Sequence, residues 1–335
     1  MKLLYIILIT VITTSTAFTQ THPNKEVNRL LNEGLDNIVN QNYAKAQKQF
    51  YELDKKYPEL PLGKIFLAVN SIFREYELSL PFSERQIVNW LDEGIKKSDA
   101  LIKQDENNVW NNYYKGLAEG YRAYFYALNE SWVNAFTKGL SAKKYFDRCL
   151  ELNSNFYDAY VAIGAYKFWK SEKTEIISWI VKDERAEGIK NLNFAITNSS
   201  IHSFFAVHNL VWIQVRKKDF QSALGVLNEP LKKHPESRLF KWDYSRVMEE
   251  LDRNKAIEIY KDLLKSYKKE SLQNRCNEIT LNYLIAKNYK ALNQLAKAVE
   301  YLKLIPEKQT LTGFEVDKLG SRISRIESLK NECGL

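Results

Sequence analysis

The stretch Phe220–Pro235, FQSALGVLNEPLKKHP, decides the fold. Ala223 is small, Leu227 and Pro230 follow at helical spacing, and Pro235 closes the segment. A small residue lets a neighbouring helix approach closely, and a large apolar residue four places on fills the gap beside it. The next segment repeats the pattern, because Ala256, Tyr260 and Leu263 in NKAIEIYKDLLKSY keep the same four-then-three spacing. Each segment reads as the second helix of a two-helix unit.

The small-residue marker can be followed outward along the whole chain, at Ala46, Gly94, Ala142, Gly188, Ala223, Ala256 and Ala298. Successive spacings are 48, 48, 46, 35, 33 and 42 residues, so longer units precede more regular ones. Two of the long units share a tetrapeptide, Glu93-Gly94-Ile95-Lys96 and Glu187-Gly188-Ile189-Lys190, which supports the register. In the first unit Ala46, Phe50, Leu53 and Pro58 take the corresponding places.

This signature resembles the tetratricopeptide repeat family. Its unit of about 34 residues keeps a small residue, an aromatic or leucine four on, a small residue three further, and often a closing proline. The resemblance implies an all-α, right-handed solenoid of about seven helix pairs. The units fall near 27–60, 61–106, 107–156, 157–203, 204–236, 237–270 and 279–308, and a C-terminal capping helix is expected within 313–335. Trp110 takes the family's tryptophan place, but Tyr114 stands where a small residue is usual. Gly116, Gly120, Ala123 and Ala127 instead form a small-residue ridge, which predicts close helix packing.

Composition agrees with a mainly helical chain. Gly (12) and Pro (7) are scarce in 335 residues, against a β-sandwich or barrel, and 45% hydrophobic residues suffice for a continuous buried seam. Residues 1–20 read as a secretory signal: Lys2, an apolar run from Leu3 to Ile12, then small and hydroxyl residues. The run is short for a membrane span, no cysteine follows it to carry a lipid, and no transmembrane helix is expected later in the chain. Export to a bacterial periplasm or beyond is therefore expected. Loss of Lys2 takes the formal charge from +8 to +7, spread over lysine-rich helix faces that read as solvated surface. Nucleic acid is not an expected partner. Cys149, Cys276 and Cys333 have no metal-ligand spacing and cannot form a complete disulfide set.

Catalytic signatures are missing from the sequence. There is no phosphate-binding glycine loop, no dinucleotide fingerprint, no nucleophile elbow and no zinc-binding histidine pair among His22, His202, His208 and His234. No cofactor is implied, and the chain reads as non-catalytic. The family resemblance instead implies a concave groove lined by the first helix of each unit, holding a protein or peptide. Carried over unit by unit, its positions fall on Asp158, Phe168, Trp169, Phe205, His208, Trp212, Arg216, Arg238, Lys241, Met248, Tyr283 and Lys287. Such an aromatic and basic groove suits an acidic or C-terminal peptide. The alternative is a periplasmic binding module for a glycan or other small ligand.

The two longest units carry insertions, ESWVNAFTKG and SEKTEIISWIVKD. If side by side, they would set Trp132 and Phe136 next to Ile176 and Trp179, as an apolar ledge for a partner or a peripheral membrane contact. The competing expectation is that these residues fold back over their own helices.

Overall fold

The computed structural model describes residues 20–175, 182–198, 201–270, 272 and 274–335. The expected signal, Gln20 apart, and Ile176 and Trp179 of the expected ledge lie outside the described residues. Among the described residues no helix is long and apolar enough to cross a membrane.

Among the described residues fourteen helices form seven consecutive pairs: α1 (Lys25–Val39) with α2 (Tyr43–Lys56), α3 (Leu62–Glu77) with α4 (Glu84–Gln104), α5 (Val109–Leu128) with α6 (Trp132–Leu152), α7 (Tyr157–Lys173) with α8 (Arg185–Asn198), α9 (Ser203–Arg216) with α10 (Phe220–Lys233), α11 (Arg238–Leu251) with α12 (Arg253–Tyr267), and α13 (Cys276–Ala291) with α14 (Leu295–Lys303). Each helix packs on the next in sequence. The seven small-residue markers all lie on the second helix of a pair, and all are buried. At the two glycine markers the space is taken by a neighbouring helix: a Cβ on Gly94 would fall 2.8 Å from the Ile65 side chain. A Cβ on Gly188 would come within 2.7 Å of the Gly164 carbonyl, so α7 and α8 touch backbone to backbone. On the first helices, a Cβ on Gly34 would fall 2.3 Å from the Phe50 ring, and one on Gly116 would fall 2.9 Å from the Phe146 ring. The aromatic four residues after the marker thus fills the space that the glycine opens.

Turns recur as the helices do. Gln41, Ser79, Glu130, Lys218 and Asn293 each adopt a positive φ of 52–60° just beyond the first helix of a unit. A left-handed residue there ends the helix and lets the chain reverse within a few residues. Asn24 and Asn108 cap α1 and α5 by accepting from backbone amides of their first turns.

Two expectations are corrected. The capping helix is two helices, α15 (Gly313–Leu319) and α16 (Arg322–Glu332), because Gly320 takes φ 50° between them. Thr312 and Glu315 close a capping box that starts α15. The segment ESWVNAFTKG is no separate insertion: Ser131 precedes α6, and from Trp132 the residues extend that helix toward its N-terminus. No proline lies in 132–139, so the extra length adds turns rather than a loop.

The array also closes on itself. Ser237 donates to the Val39 carbonyl (2.6 Å), and the Arg238 amide donates to the Gln41 side chain (2.8 Å). Asn277 donates to the Glu77 carbonyl (2.9 Å) and accepts from Ser79 (3.0 Å). Arg238 spans Glu77 of α3 and Glu270 beyond α12 while lying over the Tyr267 ring. Inside, the Phe66 ring stacks on His202 at 5.9 Å and Phe73 meets Phe204 at 6.1 Å. One apolar cluster therefore runs from Val27 to Cys333, and much of the inner face of the first helices has become core.

Candidate binding site

The inner face stays open along one side. A cavity of about 670 Å³ lies between α5, α6, α7 and α9. Its shape follows from helix periodicity: on α7 the lining residues run Asp158, Val161, Ala165, Trp169 and Lys173, one stripe along the helix. That stripe is roughly 20 Å long at the helical rise per residue. The opposite wall is α6 from Trp132 to Phe146, of similar length. The void exists because its walls carry small side chains where facing helices would normally interdigitate, including Gly120, Ala123 and Ala127 of α5 and Ala162 and Ala165 of α7. The ridge read from the sequence thus divides by function. Gly116 packs on Phe146 as expected, whereas a Cβ on Gly120 would meet only ordinary contacts at 3.6 Å.

The cavity walls are predominantly apolar. Asp158 and His202 stand at one end, and Lys170, Lys173 and Thr174 at the other. The indole of Trp169 donates to Asn209 at 2.8 Å, which fixes the ring as part of the wall. Asp158 accepts from the His202 amide at 3.0 Å. At the mouth, α6 presents Trp132 (52% exposed), Val133 (81%), Phe136 (51%) and Leu140 (46%). These fall within one arc of the helix, so they form a continuous apolar edge rather than scattered residues. Trp132 and Phe136 of the expected ledge are thus both half-exposed.

The groove expected from the family pattern is redistributed. Asp158, Trp169 and Phe205 line the cavity. Phe168 and Met248 are buried in the core and Arg238 in the closing seam, so none of the three offers a surface; closure of the array covers the face where an open solenoid would display Arg238 and Met248. Trp212 is half-buried and donates to Asp243 at 2.9 Å. His208 also pairs with Asp243, at 3.0 Å to either carboxylate oxygen. Burial opposes charge on this imidazole, but the fully buried Asp243 carboxylate outweighs it and raises the His208 pKa. Tyr283 and Lys287 border a second, shallower cleft against α16.

The basic character expected of the groove is neutralised from within the chain. Arg216 pairs with Glu172, Lys241 with Glu236 and Asp262, and Arg238 with Glu77 and Glu270. Lys287 lies 3.7 Å from Glu249. An acidic peptide would have to displace these carboxylates. Lys173 differs: among the described residues it makes no ion pair, and its ammonium lies 4.4 Å from the Trp132 ring centroid. Sequence reading overlooked Lys173, although the facing small residues of α5 and α7 were a visible signal of a gap.

No family model matches the sequence, and no curated protein matches it. Solved structures similar to it include PilW, a widely conserved type IV pilus biogenesis factor, at 18% identity and TM-score 0.47, covering 76% of this chain and 96% of PilW. A tetratricopeptide repeat protein from Parabacteroides merdae is 11% identical with TM-score 0.38, covering 93% of this chain and all of that one. Yeast Tom70 is 14% identical with TM-score 0.42, covering 94% of this chain and 66% of Tom70. All three TM-scores lie below 0.5, so the fold assignment rests on the chain's own helix pairs. By its repeating small-residue markers and the packing that each one permits, this chain is an all-α solenoid of tetratricopeptide-like helix pairs.

Proposed function

We propose that this chain is a non-catalytic interaction scaffold of the bacterial cell envelope, and that it meets a protein partner through the apolar edge of α6. The observation that carries this reading is the exposure of Trp132, Val133, Phe136 and Leu140 along one helix face. Apolar side chains gathered in this way mark contact surfaces, because water solvates them poorly and a partner that covers them gains the transfer free energy. The envelope location is supported by the signal-like composition of residues 1–20.

In-cell crosslinking of the full chain, followed by mass spectrometry, tests the reading beside a Val133→Glu, Leu140→Glu variant. Both residues belong to the exposed edge but not to the cavity lining. A dominant partner that the variant loses is the expected result. A partner retained by the variant, or no partner in either sample, would overturn it. Fractionation with N-terminal mass determination tests export separately.

A further inference from the structure

We propose that the cavity between α5, α6, α7 and α9 binds a single-chain anionic amphiphile, a long-chain carboxylate whose tail lies along α7 and whose head sits beside Lys173. This inference rests on the cavity and not on the α6 edge, so it does not require a protein partner.

Shape argues first. The void is about 670 Å³, within the usual range for a small-molecule site, and its lining runs most of the length of α6 and α7. An aliphatic chain matches that form. The chemistry of the walls argues next. Along the trough the walls are mostly alanines, glycines, aliphatic side chains and ring faces; of the other polar groups, Asn209 is already bonded to Trp169 and Lys143 to Asp147. A peptide laid there would bury amides without partners, and a glycan would bury hydroxyls without partners. Each such group costs free energy on transfer. A hydrocarbon tail brings none.

Charge then sets the orientation. Three lysines border the trough. Lys143 is paired with Asp147 and Lys170 with Glu184, whereas Lys173 makes no ion pair among the described residues and lies over the Trp132 ring. Asp158 stands at the opposite end, accepting from the His202 amide, and as a carboxylate side chain it offers no cation to an anionic head there. A carboxylate therefore belongs at the Lys173 end, where the exposed Trp132 and Phe136 shield the first methylenes.

The test is displacement of a fluorescent polyene fatty acid from the full chain by straight-chain carboxylates from octanoate to stearate, with alkylammonium ions of matched length as the control. Affinity should tighten roughly fourfold per added methylene until the trough is full. Ala165→Phe, which fills the trough, should weaken binding at least about tenfold, since a displaced tail loses several methylenes of burial. Lys173→Glu lies on the surface and leaves the fold intact; it should erase the preference for carboxylate over ammonium. Absence of binding at every chain length would overturn the proposal. So would unchanged affinity in a folded Ala165→Phe variant, or equal affinity of wild type for anionic and cationic chains.

Discussion

Replacing Arg238 with methionine would test whether the closure of the array is energetically real. Arg238 is 5% exposed and lies at the start of α11. Its guanidinium donates to both Glu77 oxygens, at 2.7 and 3.1 Å, to Ser266 and to Glu270, with the Tyr267 ring 5.0 Å beneath it. Methionine keeps the apolar stem and deletes the charge. What remains is a largely desolvated Glu77 carboxylate without its partner, and removing one member of a buried pair costs about 3–5 kcal/mol. The loss is read from the urea midpoint at neutral pH. Adding Glu77→Gln should restore most of it, because the penalty belongs to the orphaned charge and not to the missing contact. Burial raises the Glu77 pKa, and Arg238 pulls it down. Without Arg238 it rises further above its unfolded value, so the folded variant binds more protons than the unfolded chain and regains stability as pH falls. A loss below about 1 kcal/mol, a double variant no better than the single, or a pH trend of the opposite sign would each refute this account.

Three further outcomes are expected. Gly188→Ala should destabilise by about 1–3 kcal/mol, since its Cβ would meet the Gly164 carbonyl and the Phe168 amide, which are backbone and cannot step aside; Gly225→Ala, on an exposed part of α10 with nothing within 4 Å, should stabilise by about 0.5–1 kcal/mol in the same melts. His208→Asn should cost most below pH 6.5 and progressively less as pH rises through the raised folded pKa of His208, because the ion pair with Asp243 exists only while the ring is protonated; paired urea titrations across that range show it. The Arg275 guanidinium holds the Glu315 carboxyl at about 2, so its contribution is present above about 4.5 and lost as pH falls toward 2; amide protection in α15, taken relative to the intrinsic exchange rate at each pH, should fall over that window in wild type and show no such step in Glu315→Gln.

The pairing of helices was legible because it is local. Ala223 and Leu227, or Ala46 and Phe50, lie four apart on one helix, and the close approach they permit is written in a few adjacent positions. The site was less legible because its parts are distant. Gly120 and Ala165 read alike as small packing residues, and only their juxtaposition across α5 and α7 makes a void. The same limit applies to charge. Arg216, Arg238 and Lys241 looked like a basic face, but Glu172, Glu77 and Asp262 arrive from other helices to neutralise them. Nothing in the sequence near Arg238 announces a partner 161 residues away.

The seam between Ser237 and Val39 fixes how many units this chain can have. Open repeat arrays gain or lose a unit at modest cost, because each unit touches only its neighbours. Here a deletion between α4 and α10 would carry the α11 end out of reach of α3, and an added unit would carry it past. Duplication and loss, the usual routes by which repeat proteins change length, are closed to this part of the chain. Length can change here only within existing units, by adding turns to a helix such as the 21-residue α6.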